Sequence, residues 1–205
     1  MSWAQRVKYM ELPWGTLFSL LFMTMGPFRA VAVFALIGSE DRTPEIRKLA
    51  WRSTGLCAIA FVLAVFGGTA TLAAWDVSFP ALIGSAGVVL LALSLQSLLF
   101  PATPVMTPQD PATLRPSSIV FPGLFPPVAV TIPIIFAAAF PDLRMHLEIL
   151  AAGLAILLLN WLAMLRSKAI LRKAGWVALD ILNAVFGVLQ VALAIQFIVN
   201  AVSRL

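Results

Sequence analysis

The stretch FMTMGPFRAVAVF, residues 22–34, lies inside an apolar run from Leu12 to Ser39, yet it contains Gly26, Pro27 and the run's single charge, Arg29. Proline removes a backbone donor and crowds the carbonyl four residues back, here Met23. The run is therefore predicted to kink or divide into two half-helices at this point, with Gly26 easing the bend. If it divides, Pro27 suits the first turn of the second half, whose free N–H groups open near the middle of a bilayer and carry partial positive charge. Arg29 in that turn adds a cation where the helix dipole already disfavours one, a costly geometry unless an anion or carboxylate sits nearby. The stretch reads as a receptor for negative charge set within a membrane span.

The rest of the chain supports a membrane reading. Of 205 residues, 61% are hydrophobic and 11% charged, and the mean hydropathy is +0.98, outside the range of ordinary soluble domains. Crossing about 30 Å of hydrocarbon takes roughly 20 helical residues. Six stretches qualify, at about 13–37, 53–75, 77–100, 118–140, 147–165 and 177–200. The first follows a short charged segment without a small-residue cleavage pattern, so no removable signal peptide is expected. The second and third are separated only by Asp76 with Trp75 beside it, a tight hairpin with an aromatic at the interface. The fourth holds Pro122, Pro126, Pro127 and Pro133, which argues for a broken helix buried in protein or lining a cavity.

Two connections are long. Glu40 to Arg52 is charged, and Pro101 to Pro116, PATPVMTPQDPATLRP, carries five prolines in sixteen residues. The second reads as an extended linker, 101–117, dividing a first half, 1–100, from a second, 118–205. Each half holds three spans. Similar halves would then cross the membrane with opposite topology, so the expected fold is all-α and polytopic: six transmembrane helices as two inverted three-helix halves, the first and fourth broken by proline.

The net charge of +5 and pI of about 10.2 arise from cations at span ends, so they report orientation and not nucleic-acid binding. One side carries Arg42, Arg47, Lys48, Arg52, Arg115, Arg166, Lys168, Arg172 and Lys173; the other carries Arg6, Lys8, Arg144 and Arg204. Nine against four places the first, third and fifth loops in the cytoplasm and both termini outside.

In the second half, FPGLFPPVAVTIP, residues 121–133, occupies the place equivalent to the first break. Pro126 and Pro127 can interrupt that helix much as Pro27 does, and Thr131 can satisfy freed backbone groups. Two interrupted helices opening toward one interior point suit a substrate carboxylate. Arg29 has two readings: it snorkels toward the cytoplasmic surface about 12 Å away, or it faces the protein interior as ion-pair partner or ligand group. Asp180, close to it in depth, is either its partner or an interfacial residue in contact with water. Asn160 and Asn183 fall in the same third of the membrane and complete a candidate polar cluster. Gln190 and Gln96 lie deeper and read first as interhelical hydrogen bonds. Gly67, Gly68, Gly84, Gly87 and Gly187 read as positions of close helix approach.

Cys57 is the only cysteine and His146 the only histidine, so neither a disulfide nor a His-based metal site or catalytic dyad is expected within the membrane. No carboxylate pair lies inside the spans, and neither a phosphate loop nor a nucleic-acid module is present. Neither a cofactor nor enzymatic activity is expected.

Several segments resemble the MarC family of membrane proteins, within the wider LysE-like exporter group: MGPFRAVAVF in the first span, IRKLAWRSTGLCAIAFVLAVFGG leading into the second, VSFPALIGSAGVVLLALSLQSLL in the third, PGLFP in the fourth and GVLQVALAIQFIVNAV in the last. The resemblance covers nearly the whole chain. It implies six spans, external termini and movement of small neutral amino acids across a bacterial inner membrane. Where the family pattern is Asn-Pro-x-Gly, this chain has Gly26, Pro27, Phe28 and Arg29; where a Gly-Pro-Gly-like break is expected after Pro122 and Pro126, it has Val130, Thr131 and Ile132. Both departures fall on the expected substrate site. Two functions follow: a secondary transporter or exporter of a small carboxylate-bearing solute, or a non-transporting accessory subunit of a larger membrane complex. The partners expected are the lipid bilayer, a small solute and either a second copy of the chain or a larger assembly.

Overall fold

A computed structural model of the chain describes residues 14–35, 37, 43–99, 120 and 125–203. The linker 101–117, Pro122, and the side chains of Arg29 and Pro127 lie outside the described residues. Every described element is a helix: α1 Trp14–Met25, α2 Pro27–Ala35, α3 Thr43–Ala74, α4 Phe79–Leu99, α5 Pro127–Ala139, α6 Leu143–Leu165 and α7 Ser167–Val202. Among them, five runs are long and apolar enough to cross a membrane: Leu17–Ala35 across α1 and α2, Pro44–Ala74, Phe79–Leu99, Leu143–Leu165 and Ser167–Val202. A shorter apolar helix, Ala129–Ala139, falls within the fourth expected span.

Helix boundaries differ from the hydropathy reading in two places. α3 begins at Thr43, so most of the charged connection Glu40–Arg52 is helical. Pro44 fits a first helical turn, Glu45 favours the positive helix end, and Ile46 to Arg52 are good helix formers, so the helix continues past the apolar layer. α7 likewise begins at Ser167, but Gly175 inside it has φ 75° and ψ 164°. That backbone region is open essentially to glycine alone. The cationic segment from Ser167 to Ala174 is thereby set apart from the apolar run that begins at Trp176.

The α3–α4 hairpin closes by local hydrogen bonding. The Val77 N–H donates to the Leu72 carbonyl at 3.0 Å and the Asp76 N–H to the Ala73 carbonyl at 3.3 Å. Asp76 takes φ 50°. The paired bonds form the Schellman closure, with an aspartate in the left-handed position that glycine usually fills.

The interrupted span is the innermost. In its most apolar window 53% of residues are buried, against 22% for the α7 window. α1 packs on α5, α6 and α7; α2 on α6 and α7; α3 on α6 and α5; and α4 on α7 and α5. Leu17, Leu21, Met25, Phe34, Phe61, Phe125, Ile132, Ile149 and Ile156 form the buried centre.

Helix association within lipid gains little from hydrophobicity and depends on close packing, so small residues decide where helices touch. α4 and α7 run antiparallel. A Cβ at Gly87 would lie 2.8 Å from the Ala194 carbonyl oxygen and 3.1 Å from the Ile198 nitrogen, and one at Gly84 would lie 3.2 Å from the Ala201 Cβ. At the other end of the seam, a Cβ at Gly187 would lie 2.8 Å from a Leu98 methyl. On α3, Gly68 faces Ile134 of α5, and Gly153 of α6 faces the Phe61 ring.

Replacing Gly87 by alanine forces two backbones apart and should lower stability by about 1–3 kcal/mol. Gly67→Ala, where a Cβ meets nothing within 4 Å, should leave it unchanged or slightly raised. Thermal unfolding of the two variants in one detergent checks the contrast. Gly175→Ala should cost about 1–3 kcal/mol through backbone strain alone, since its Cβ has open space.

Candidate functional site

Gly26 is the one non-helical residue between α1 and α2, and Pro27 opens the second helix. In an unbroken helix the Met23 carbonyl would accept from the residue at position 27, which as proline has no N–H to give. That oxygen instead accepts a 2.7 Å hydrogen bond from Gln190 Nε2 of α7. Two residues on, the Met25 carbonyl accepts from Asn160 Nδ2 of α6 at 2.6 Å. Gln190 Oε1 in turn accepts from Ser94 Oγ of α4 at 3.4 Å. Two helices thus supply polar side chains to one helix end, a third helix joins through Ser94, and Asn160, Gln190 and Ser94 are all buried.

Other contacts hold the break in shape. Thr24 Oγ1 donates back to the Leu20 and Leu21 carbonyls at 2.9 and 3.2 Å, a pattern that bends a helix. A Cβ at Gly26 would collide with the Phe28 ring and the Phe22 carbonyl, so this corner accepts only glycine. Phe28, in the first turn of α2, stacks on Phe186 of α7 with ring centres 4.6 Å apart and planes at 5°. Phe22 of α1 meets the same Phe186 edge-on at 6.4 Å. One aromatic of α7 therefore spans both halves of the broken helix.

The site has unused capacity. Asn160 is 3% exposed and its Oδ1 has no hydrogen-bond partner among the described residues. It faces the interior with one lone acceptor beside the carbonyl end of α1 and the amide end of α2. A buried acceptor left bare costs about 1–3 kcal/mol, which a donor arriving there would recover.

Of the residues singled out from sequence, Gly26, Pro27 and Asn160 come together at this point. Arg29 stands in the first turn of α2, but its side chain lies outside the described residues. Pro126 is buried and extended at φ −65° and ψ 156°, and α5 begins at Pro127 directly after it. Thr131 is half-buried in α5. Asp180 is exposed on α7 and Asn183 half-buried, and among the described residues neither side chain has a hydrogen bond to the break. From sequence Gln190 reads first as an interhelical hydrogen bond, and the structure makes it one, to the Met23 carbonyl. Its role as the substitute donor for Met23 was open to inference from the proline alone, since the orphaned carbonyl can be named before its partner is known.

Gln190→Leu should destabilise the protein by about 0.5–2 kcal/mol by baring the Met23 carbonyl. In a Pro27→Ala background the restored N–H takes over that carbonyl, and the cost of Gln190→Leu should shrink. A double-mutant cycle measured by unfolding in detergent reads the coupling, and equal costs in both backgrounds would refute the capping account.

Comparison with known proteins bears on the whole chain. The family model for MarC family integral membrane proteins matches residues 13–205. A UPF0056 membrane protein of Methanocaldococcus jannaschii is 26% identical over 192 residues, covering 90% of this chain and 93% of its own. No solved structure matches. With nearly its full length accounted for by one family model, the chain belongs to the MarC family of integral membrane proteins.

Proposed function

We propose that the protein is a multi-pass transporter of small zwitterionic solutes, with neutral amino acids such as alanine and glycine as the first candidates, bound at the Gly26 interruption. The observation that carries this reading is the pairing of opposite helix ends at one buried point. The first-turn amides of α2 offer partial positive charge to a carboxylate, with Arg29 on the same turn. The carbonyl end of α1 and the unpaired Asn160 Oδ1 offer acceptors to an ammonium. A group carrying both charges a few ångströms apart matches that layout better than a simple anion.

An inverted repeat supports alternating access around this point. Pro27 opens α2 and Pro127 opens α5, and the same spacing relates GVVLLALSLQSLL, residues 87–99, to GVLQVALAIQFIV, residues 187–199. Gly, Val, Ala, Leu and Gln recur in register at Gly87/Gly187, Val88/Val188, Ala92/Ala192, Leu93/Leu193 and Gln96/Gln196. The close approaches follow suit: Gly87 on Ile198 and Gly187 on Leu98 are one contact exchanged between halves. α3 on α6 and α4 on α7 are then self-related pairs, the seams across which two halves rock.

The described cations Arg47, Lys48, Arg52, Arg166, Lys168, Arg172 and Lys173 gather where α3 begins and α6 meets α7, while Arg144 lies at the opposite end. Their asymmetry supports an inner-membrane orientation with that end cytoplasmic and both termini periplasmic.

The test is uptake of labelled alanine or glycine into proteoliposomes. Flux is expected in the native protein. Asn160→Leu and Arg29→Gln should each reduce it at least tenfold, the first by removing the acceptor for the ammonium and the second the cation for the carboxylate. Absence of flux, with a stoichiometric partner retained through purification in mild detergent, would support the accessory-subunit function instead.

A further inference from the structure

A cavity of about 690 Å³ opens at the start of α3, lined by Pro44, Arg47, Lys48, Trp51 and Trp161. It lies at the end of the bundle where the cations gather, and Trp161 in its wall follows Asn160 directly along α6. Arg47 and Lys48 are exposed, and neither makes an ion pair among the described residues. Trp51 of α3 and Trp161 of α6 meet edge to face with ring centres 6.1 Å apart and planes at 75°. The indole N–H of Trp161 has no exposed surface and no acceptor among the described residues, while the Trp51 ring is 68% exposed. The cavity is therefore apolar on one wall and cationic on the other.

We propose that this cavity is a binding site for the phosphodiester headgroup of an anionic lipid, clamping the α3–α6 seam. Its chemistry suits that occupant on three counts. Arg47 and Lys48 are consecutive in the second turn of α3, two cations against the single carboxylate, Glu45, of the first turn. Tryptophan pairs favour the membrane–water boundary, where a ring packs on glycerol and acyl carbons while its N–H turns to a polar partner. Basic pockets between transmembrane helices on the cytoplasmic side are where anionic headgroups collect. A soluble anion would make no use of the exposed Trp51 face, and a zwitterionic headgroup would set an ammonium against two cations. The seam is also one across which the two halves face each other, so an occupant there ties them together.

The experiment uses the full chain, delipidated in a neutral detergent and then mixed with phosphatidylglycerol, with phosphatidylcholine, or with inorganic phosphate at matched phosphate concentration. Melting temperature and lipid retained in native mass spectrometry are both read. Phosphatidylglycerol should raise the melting temperature and remain bound, and the other two should not. Changing Arg47 and Lys48 together to Gln should weaken phosphatidylglycerol binding about tenfold or more. Changing Arg172 and Lys173 to Gln removes two cations from the same membrane surface outside the cavity and should leave binding intact. The proposal is overturned if phosphatidylcholine binds equally, if inorganic phosphate gives the same shift, or if the Arg172 and Lys173 changes abolish binding as fully as the cavity changes do.

Discussion

A carbonyl oxygen without a donor cannot be left in hydrocarbon, and in this protein Pro27 creates one at Met23. Lipid offers no water to repair it, so a neighbouring helix must. The Gln190 amide does so at 2.7 Å, and Asn160 does the same for Met25 at 2.6 Å. From that requirement follows much of the arrangement. α6 and α7 must lie against the break at heights that bring those two amides to it, Ser94 of α4 joins through Gln190, and the interrupted span is drawn to the inside, where more than half of its most apolar window is buried. The interruption is both the weakest point of the backbone and the point around which side chains from three other helices are ordered.

Much of this was legible in the residues. Apolar windows of about 20 residues matched α4 and α6 to within a few residues, because bilayer thickness constrains the length of an apolar helix, and the fourth window is matched only by the shorter helix α5. Pro27 and Gly26 marked the interruption because a missing donor is a property of the residue itself. Helix starts were less legible. α3 reaches back to Thr43 because Pro44, Glu45 and the residues after them favour helix outside the membrane, a preference that hydropathy does not measure. The α7 boundary was hidden for the opposite reason: Ser167 to Ala174 is helical but cationic, and only the φ of Gly175 separates it from the span.

The candidate site was legible in its backbone and less so in its side chains. Proline and glycine announce their geometry, whereas Asn160, Asp180 and Asn183 were placed by depth alone, and depth does not say which way a helix face turns. Asn160 faces inward and Asp180 outward, a difference of rotation about helices that lack a strong polar stripe. The recurrence of Gly, Val, Ala, Leu and Gln between residues 87–96 and 187–196 was present throughout, but comparison of prolines alone does not find it. Small residues carried that signal because they decide how near two helix axes can come.

Gly175 bears on how the two parts of α7 are joined. The segment before it carries Lys168, Arg172 and Lys173 and is held by charge at the surface, while the helix after it is held by lipid on its flanks and by α4 along its seam. Because the change of direction is made at one residue, the cationic segment and the apolar helix take separate axes, and the Gln190 contact with Met23, fifteen residues beyond, belongs to the apolar helix alone.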